Sequence, residues 1–541
     1  MKKTIAWFLI YWLSAFQITY AATYYVTQGG TGDGSTYANA MSVASHNGGS
    51  FSPDDIIYLC DTITSEVTPP SDGTSGHEII YRGDYASHAG VIDRSSSSEL
   101  VYGIEVDEKA YIKIQNVEIT NCGHGIVIRG GVTTGSHYIY VDDCDIHNIG
   151  YRGIFTVSDS GTSDRVSQIY VTGSRLWDCG TVFAGMCIML QRTNYMYVRY
   201  NEIYGDTYGV DGFSCEDSKY LYIERNYFHD FDRVPAPYAE DAIDIKKRSE
   251  YVYIGENRIE NCPAFSGITI QMDSRHARIY RNWINTGDSQ GILIKMGTTD
   301  YTSQQDMTDI IVWGNIIFGT NSGINLHSNG YGDQGYGIPH VILFNNTLAH
   351  NGNMADGVGC GIMLMRGTDH EVKNNIFYRN HGQTDQDASH PYLQIHLDND
   401  VTGEDVDYNY YDHEGTSSDD VIDLDYSYYT FTEYQGMSQE AHGTEGSAGM
   451  SAPESNNYEL TANLSGVDMG DGSLYQIYAH LPNMSSSDPY DWTNLGTVDM
   501  DVVGWTAGAI KYTASSTGPT VGGTSAAIVG GTASAIVGGT Q

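Results

Sequence analysis

One nine-residue pattern recurs through the middle of the chain and limits the folds open to it. It reads YIKIQNVEI from 111, YIYVDDCDI from 138, QIYVTGSRL from 168, YMYVRYNEI from 195, YLYIERNYF from 220, YVYIGENRI from 251, HARIYRNWI from 276, DIIVWGNII from 309 and HVILFNNTL from 340. The second and fourth places are apolar, and the seventh is most often Asn: Asn201, Asn226, Asn257, Asn282, Asn315 and Asn346, with Asn375 repeating it later. Successive starts lie 27, 30, 27, 25, 31, 25, 33 and 31 residues apart. Alternation of this kind is a strand with one buried face. A period that varies within these limits is one coil of a solenoid whose loops differ in length. Amides recurring at one place can hydrogen-bond from coil to coil. Together these features predict an all-β chain folded as a right-handed parallel β-helix.

A second strand follows in each coil, usually opened by Gly: GIVI (125), GIFT (153), GMCI (185), GFSC (212), AIDI (242), GITI (267), GILI (291), GINL (323) and GIML (361). Residues one and three places after the Gly are expected to face the core, and those two and four places after it to face outward. Equivalent residues of adjacent coils then form columns with a spacing of about 4.8 Å. The outward column four places on reads Arg129, Val157, Met189, Glu216, Lys246, Gln271, Lys295, His327, Met365. The residue just before the Gly reads His124, Arg152, Ala184, Asp211, Asp241, Ser266, Gln290, Ser322.

The chain opens with two lysines and an apolar run closed by Thr19-Tyr20-Ala21, which predicts a secretory signal peptide over 1–21 and an exported protein with no span after its removal. The organisation expected beyond it is a cap with first coils over 22–100, a central helix over 101–400 carrying the site, C-terminal coils over 401–513 and a low-complexity tail over 514–541. That tail has Val521, Val529 and Val537 in phase. A net charge of −40 would repel nucleic acid. A monomer is expected. The eight cysteines form no CxxC pair, which argues against a zinc ribbon and for buried thiols, with one or two disulfides open to an exported protein.

Against this frame one segment stands out. AEDAIDIKKRS, 239–249, has six charges in nine residues. Ile243 and Ile245 keep the inward pattern, so the charges are not a folding requirement. Asp211 and Asp241 fall one coil apart, Asp244 faces outward beside Asp241, and Glu240 precedes it in the turn. Four carboxylates so close repel one another unless protonated or bound to a cation. Hard oxygen donors on adjacent coils suit Ca²⁺, and Asp211, Glu240, Asp241 and Asp244 are its candidate ligands. Lys246 is either a catalytic base beside that metal or half of a Glu216–Lys246 ion pair. Lys247, Arg248, Lys295 and His327 are candidate contacts to an anionic polysaccharide, because basic residues concentrate over 240–300. The reaction these parts suit is β-elimination on a uronic-acid polymer, in which a cation offsets the C5 carboxylate and a neutral amine removes the C5 proton.

Two resemblances bear on this. EDAIDIK resembles the calcium cluster of polysaccharide lyase family 9, the pectate lyases, with Asp211 matching the further Asp one coil earlier; the base of that family falls on Thr269. The span DAIDIKKRSEYVYIGENRIENCPAFSGITIQMDSRHARIYRNWI resembles polysaccharide lyase family 6, the alginate and chondroitin lyases. There the base aligns with Lys246, while the family's Arg falls on Gln271 and leaves Arg275 as the candidate substitute. The resemblances imply a secreted lyase using Ca²⁺. Other readings stay open: a hydrolase, suggested by CGHGIVIRG at 122; a uronate epimerase; and a glycan-binding adhesin using the outward column Tyr140, Tyr170, Tyr197, Tyr222 and Tyr253.

Overall fold

The computed structural model of the protein describes residues 21–460, except for internal stretches of which 159–165, 232–240, 297–305, 329–336 and 382–392 are the longest. Residues 1–20 of the expected leader, Glu240, Ala184 and the tail lie outside the described residues. The chain is all-β and forms the expected right-handed parallel β-helix. Two compact units, 1–203 and 204–541, divide it, and the same construction is found in each. Among the described residues no helix is long and apolar enough to cross a membrane.

Each coil holds three strands, not two. In the second unit one coil runs Asp241–Lys246, Glu250–Gly255 and Arg258–Glu260. Each pairs in parallel with its counterpart in the next coil, Ser266–Gln271, Arg275–Tyr280 and Trp283–Asn285. The first unit repeats this with His124–Gly130, Ser136–Asp142 and Asp145–Ile149 on Arg152–Ser158, Val166–Thr172 and Arg175–Cys179. The nine-residue motif is therefore two strands joined by a bend. The bend residue has a left-handed backbone: Arg225 (φ 58°), Glu256 (55°), Arg281 (52°), Asn345 (54°) and Asn374 (58°). An L-residue in that conformation costs about 1–2 kcal/mol.

The Asn that follows each bend offsets this cost. Asn257 donates its Nδ2 to Asn282 Oδ1 at 3.0 Å and to the Ile223 carbonyl at 2.8 Å, and its backbone N–H reaches the same Asn282 Oδ1 at 3.0 Å. The amide ladder runs unbroken through Asn226, Asn257, Asn282, Asn315, Asn346, Asn375 and Asn409. Its last amide donates to Glu440 Oε1 at 2.7 Å. Inside, Ile243, Ile245, Ile268, Ile270, Ile292 and Ile294 are fully buried, each stabilising the fold by about 1.5–3 kcal/mol.

Glu440 closes the ladder and is itself buried. Burial lifts its carboxyl from 4.5 to about 7, against the hydrogen bonds from Tyr411 and Asn409 that favour its ionised form. A group whose folded pKa is raised stabilises most below its unfolded pKa and loses that contribution as pH rises through the folded one. The wild-type melting temperature should therefore fall between pH about 4.5 and about 7 by an amount worth on the order of 3 kcal/mol. Glu440→Gln, which cannot ionise, should flatten that slope in melting curves taken across the range.

The register corrects the columns at one coil. Ile154 faces Ile188 and Val157 faces Gln191. Met186 therefore stands where Ala184 was expected, and Gln191 where Met189 was. Gly185 does not open the strand: it lies in the preceding turn, where a Cβ would meet the Tyr151 carbonyl at 1.9 Å. All eight cysteines are buried free thiols. Burial pushes Cys60, Cys122, Cys144 and Cys215 up to about 12, so they are poor nucleophiles at neutral pH.

The tyrosine column is a ladder within each unit. Tyr140, Tyr170 and Tyr197 stack at 4.8 Å, and Tyr222 stacks on Tyr253 at 4.9 Å, with interplanar angles of 11°, 4° and 4°. Rings stacked face to face present their edges outward. A sugar stacks on a ring face, so this column serves packing.

Candidate active site

The site is built on the face of the sheet that contains Asp211–Glu216, Asp241–Lys246, Ser266–Gln271 and Gln290–Met296. Register places Ser214, Asp244 and Thr269 in one column and Glu216 beside Lys246. Asp211, Asp241 and Asp244 come together: one carboxylate oxygen from each lies within 4.8 Å of the others. They are 7%, 4% and 3% exposed.

Each carboxylate is held by a donor. The Asp241 backbone N–H donates to Asp211 Oδ1 at 3.2 Å, Thr269 Oγ1 to Asp241 Oδ1 at 2.8 Å, and Gln271 Nε2 to Asp244 Oδ1 at 2.8 Å. Lys246 Nζ lies 2.7 Å from Asp244 Oδ2 and 3.6 Å from Asp211 Oδ2. Burial lifts the Asp211 carboxyl to about 6, with Lys246 opposing the rise and Asp244 adding to it. Asp241 is raised well above the usual carboxylate range by burial and then by the Asp244 and Asp211 charges. Burial would lower Lys246, but the Asp244 and Asp211 carboxylates outweigh it and hold the amine protonated.

Of the two readings of Lys246, the Glu216–Lys246 pair does not form. Lys247 has a left-handed backbone (φ 53°), and it is Lys247, not Lys246, that pairs with Glu216. Arg248, also left-handed at φ 62°, pairs with Asp217 at 2.9 Å. Arg275 starts a strand of a different sheet and its guanidinium is held by Glu250. The structure therefore does not bring Arg275 to the carboxylates. Lys295 stands beside Gln271 in register and His327 beside Lys295. Lys295 acts on Asp241 through its charge, and His327 Nδ1 lies 3.0 Å from Met365 Sδ. The basic concentration over 240–300 is also matched locally: its eight Lys and Arg accompany nine Asp and Glu.

Thr269 and Gln271 gain roles that pattern reading did not assign. The two positions where family resemblance places a base and a cation hold hydrogen-bond donors to Asp241 and Asp244. Their place in the outward columns one coil after Asp244 and Lys246 was the available signal.

The donor set fits calcium. Ca²⁺ takes oxygens at about 2.3–2.6 Å, so opposed ligands stand about 5 Å apart, and the three carboxylate oxygens fall inside that span.

No curated protein matches the chain in sequence. Among solved structures it is similar to an alginate lyase from Paenibacillus sp. str. FPU-7 (15% identity, 54% of this chain and 87% of that one, TM-score 0.30). It is similar also to a mannuronan C-5 epimerase A-module of Azotobacter vinelandii (12%, 74% and 91%, 0.44). A family 6 polysaccharide lyase from Pseudopedobacter saltans is a third (11%, 78% and 95%, 0.40). In sequence, the family model described as the right handed beta helix region matches residues 102–234 and 162–333, a span that includes the three aspartates and Lys246.

Proposed function

We propose that the protein is a secreted polysaccharide lyase that cleaves a uronic-acid polymer by β-elimination, with Lys246 as the base and Asp211, Asp241 and Asp244 as calcium ligands. One observation carries this reading: a lysine amine within 3.6 Å of two members of a buried three-carboxylate cluster on an outward sheet face. Bound calcium would supply the positive charge that offsets the substrate's C5 carboxylate and acidifies C5. With the carboxylate charges offset by a bound cation, Lys246 would lose the partners that keep it protonated. In its neutral form it takes the C5 proton, the C4–O bond breaks, the leaving oxygen takes a proton from solvent, and a C4=C5 double bond remains in the product. Thr269 and Gln271 fix the orientation of Asp241 and Asp244 through the process. Lys295 and His327 lie farther along the same face, where an anionic chain would pass. Lys247 and Arg248, each tied to an acid on the coil before, stand at its edge.

The test is incubation with pectate, alginate, chondroitin and hyaluronan, in calcium and in chelator, followed by ultraviolet absorbance of the unsaturated product. A calcium-dependent rise on one polymer is the expected result. Exchange of solvent deuterium into C5 without that absorbance would assign epimerisation instead. No change in any polymer would sink the catalytic reading.

A further inference from the structure

We infer that Lys246 is a tethered counter-ion, occupying the carboxylate cluster when no divalent cation is bound and competing with that cation for the same oxygens. This rests on the metal reading proposed above and adds what the lysine does to metal binding. Three carboxylates, each less than a tenth exposed, face one another. Among the described residues Lys246 is the cation in contact with them, and it touches two: Asp244 Oδ2 at 2.7 Å and Asp211 Oδ2 at 3.6 Å. Asp241 has none within 4.0 Å among the described residues, its Oδ1 accepting only from Thr269.

Competition follows from geometry. An oxygen that holds an ammonium at 2.7 Å and a calcium at about 2.3–2.6 Å brings two like charges close together in a buried place, where repulsion is weakly screened. One cation must leave, and the flexible four-carbon stem of lysine lets its head swing out without backbone movement. The neighbour Lys247 cannot take over, because its left-handed backbone turns it to Glu216. A further observation favours an ion at this place. Ser266 is fully buried, its Oγ has no hydrogen-bond partner, and it stands in register with Asp241. That oxygen is a donor of the kind a hard cation takes.

The experiment is calcium titration by calorimetry of the full chain as wild type, Lys246→Met and Lys246→Arg, each purified in calcium and then exchanged into chelator and out of it. Met keeps the stem and removes the charge. The expected result is calcium binding about 10-fold tighter, or more, in K246M, with K246R close to wild type. In chelator K246M should melt lower than wild type, and calcium should raise its melting temperature more. A second measurement uses the wild type alone: reductive methylation of Lys246, mapped by mass spectrometry, should be faster in calcium than in chelator. Equal or weaker calcium binding by K246M, or methylation unchanged by calcium, would overturn the counter-ion. Binding by none of the three proteins would overturn the metal site as well. Tighter binding by K246M in a protein that cleaves no polymer would support the counter-ion and remove only the catalytic reading.

Discussion

Lys246→Ala is expected to lower the rate of uronate elimination by about 10²–10⁴-fold, the contribution of a positioned general base. The loss should appear in kcat with little change in KM, because the amine acts on the C5 proton rather than on the bound carboxylate. The amine's present partners make the assignment specific. Lys247 lies one residue away but is bound to Glu216, so Lys247→Ala should change the rate far less. Initial rates of unsaturated product, measured for both variants on whichever polymer the wild type cleaves, give the comparison. A Lys246→Ala enzyme with wild-type kcat would remove the base from this site.

The second large effect is on stability. Asn282 Oδ1 accepts both the Asn257 backbone N–H and the Asn257 Nδ2, and its own Nδ2 donates to the Ile254 carbonyl and to Asn315 Oδ1. Asn282→Ala strands the Asn257 N–H and one Asn257 amide proton in a buried place. Each unsatisfied buried group costs about 1–3 kcal/mol, so a loss of about 4 kcal/mol is expected, read as a lower midpoint in urea. Asn261→Ala is the control. That side chain is exposed and bonds Asp230 at the surface, and its loss should cost no more than about 1 kcal/mol, most of it from placing Ala on the left-handed backbone (φ 51°). Equal midpoints for the two variants would show that the ladder does not stabilise the fold.

The fold was legible because its signals are local and repeated. Alternating isoleucines mark a buried strand face in each coil, and Asn at the seventh place marks the ladder, whichever loops intervene. The third strand of each coil was not legible. Nothing in YVYIGENRI marks Glu256 as a left-handed bend, since glutamate has no preference for that conformation and adopts it because the Asn257 ladder fixes the turn. The shift of register at Met186–Gln191 has a related cause. Gly185 stands where the other coils have a strand-opening glycine, yet it lies before the strand and is needed for close approach to the Tyr151 carbonyl, a contact between coils that spacing along the chain does not reveal.

At the site, sequence alone determined that Asp244 and Lys246 emerge on the outward face and that Asp211 and Asp241 begin the strands of adjacent coils, as the alternation of the strand and the period of the coils require; that the three carboxylates meet was decided by the fold. Tertiary structure decided who pairs with whom. Two lysines stand side by side in sequence, and only the backbone turn at Lys247 sends that one to Glu216 and leaves Lys246 to the carboxylates. Arg275, only a few residues past Gln271, belongs to another sheet and to Glu250. Parity along a strand sets the face on which a side chain emerges, but long charged side chains settle on the nearest opposite charge. That choice depends on distances across coils and around corners, which exist only once the chain has folded.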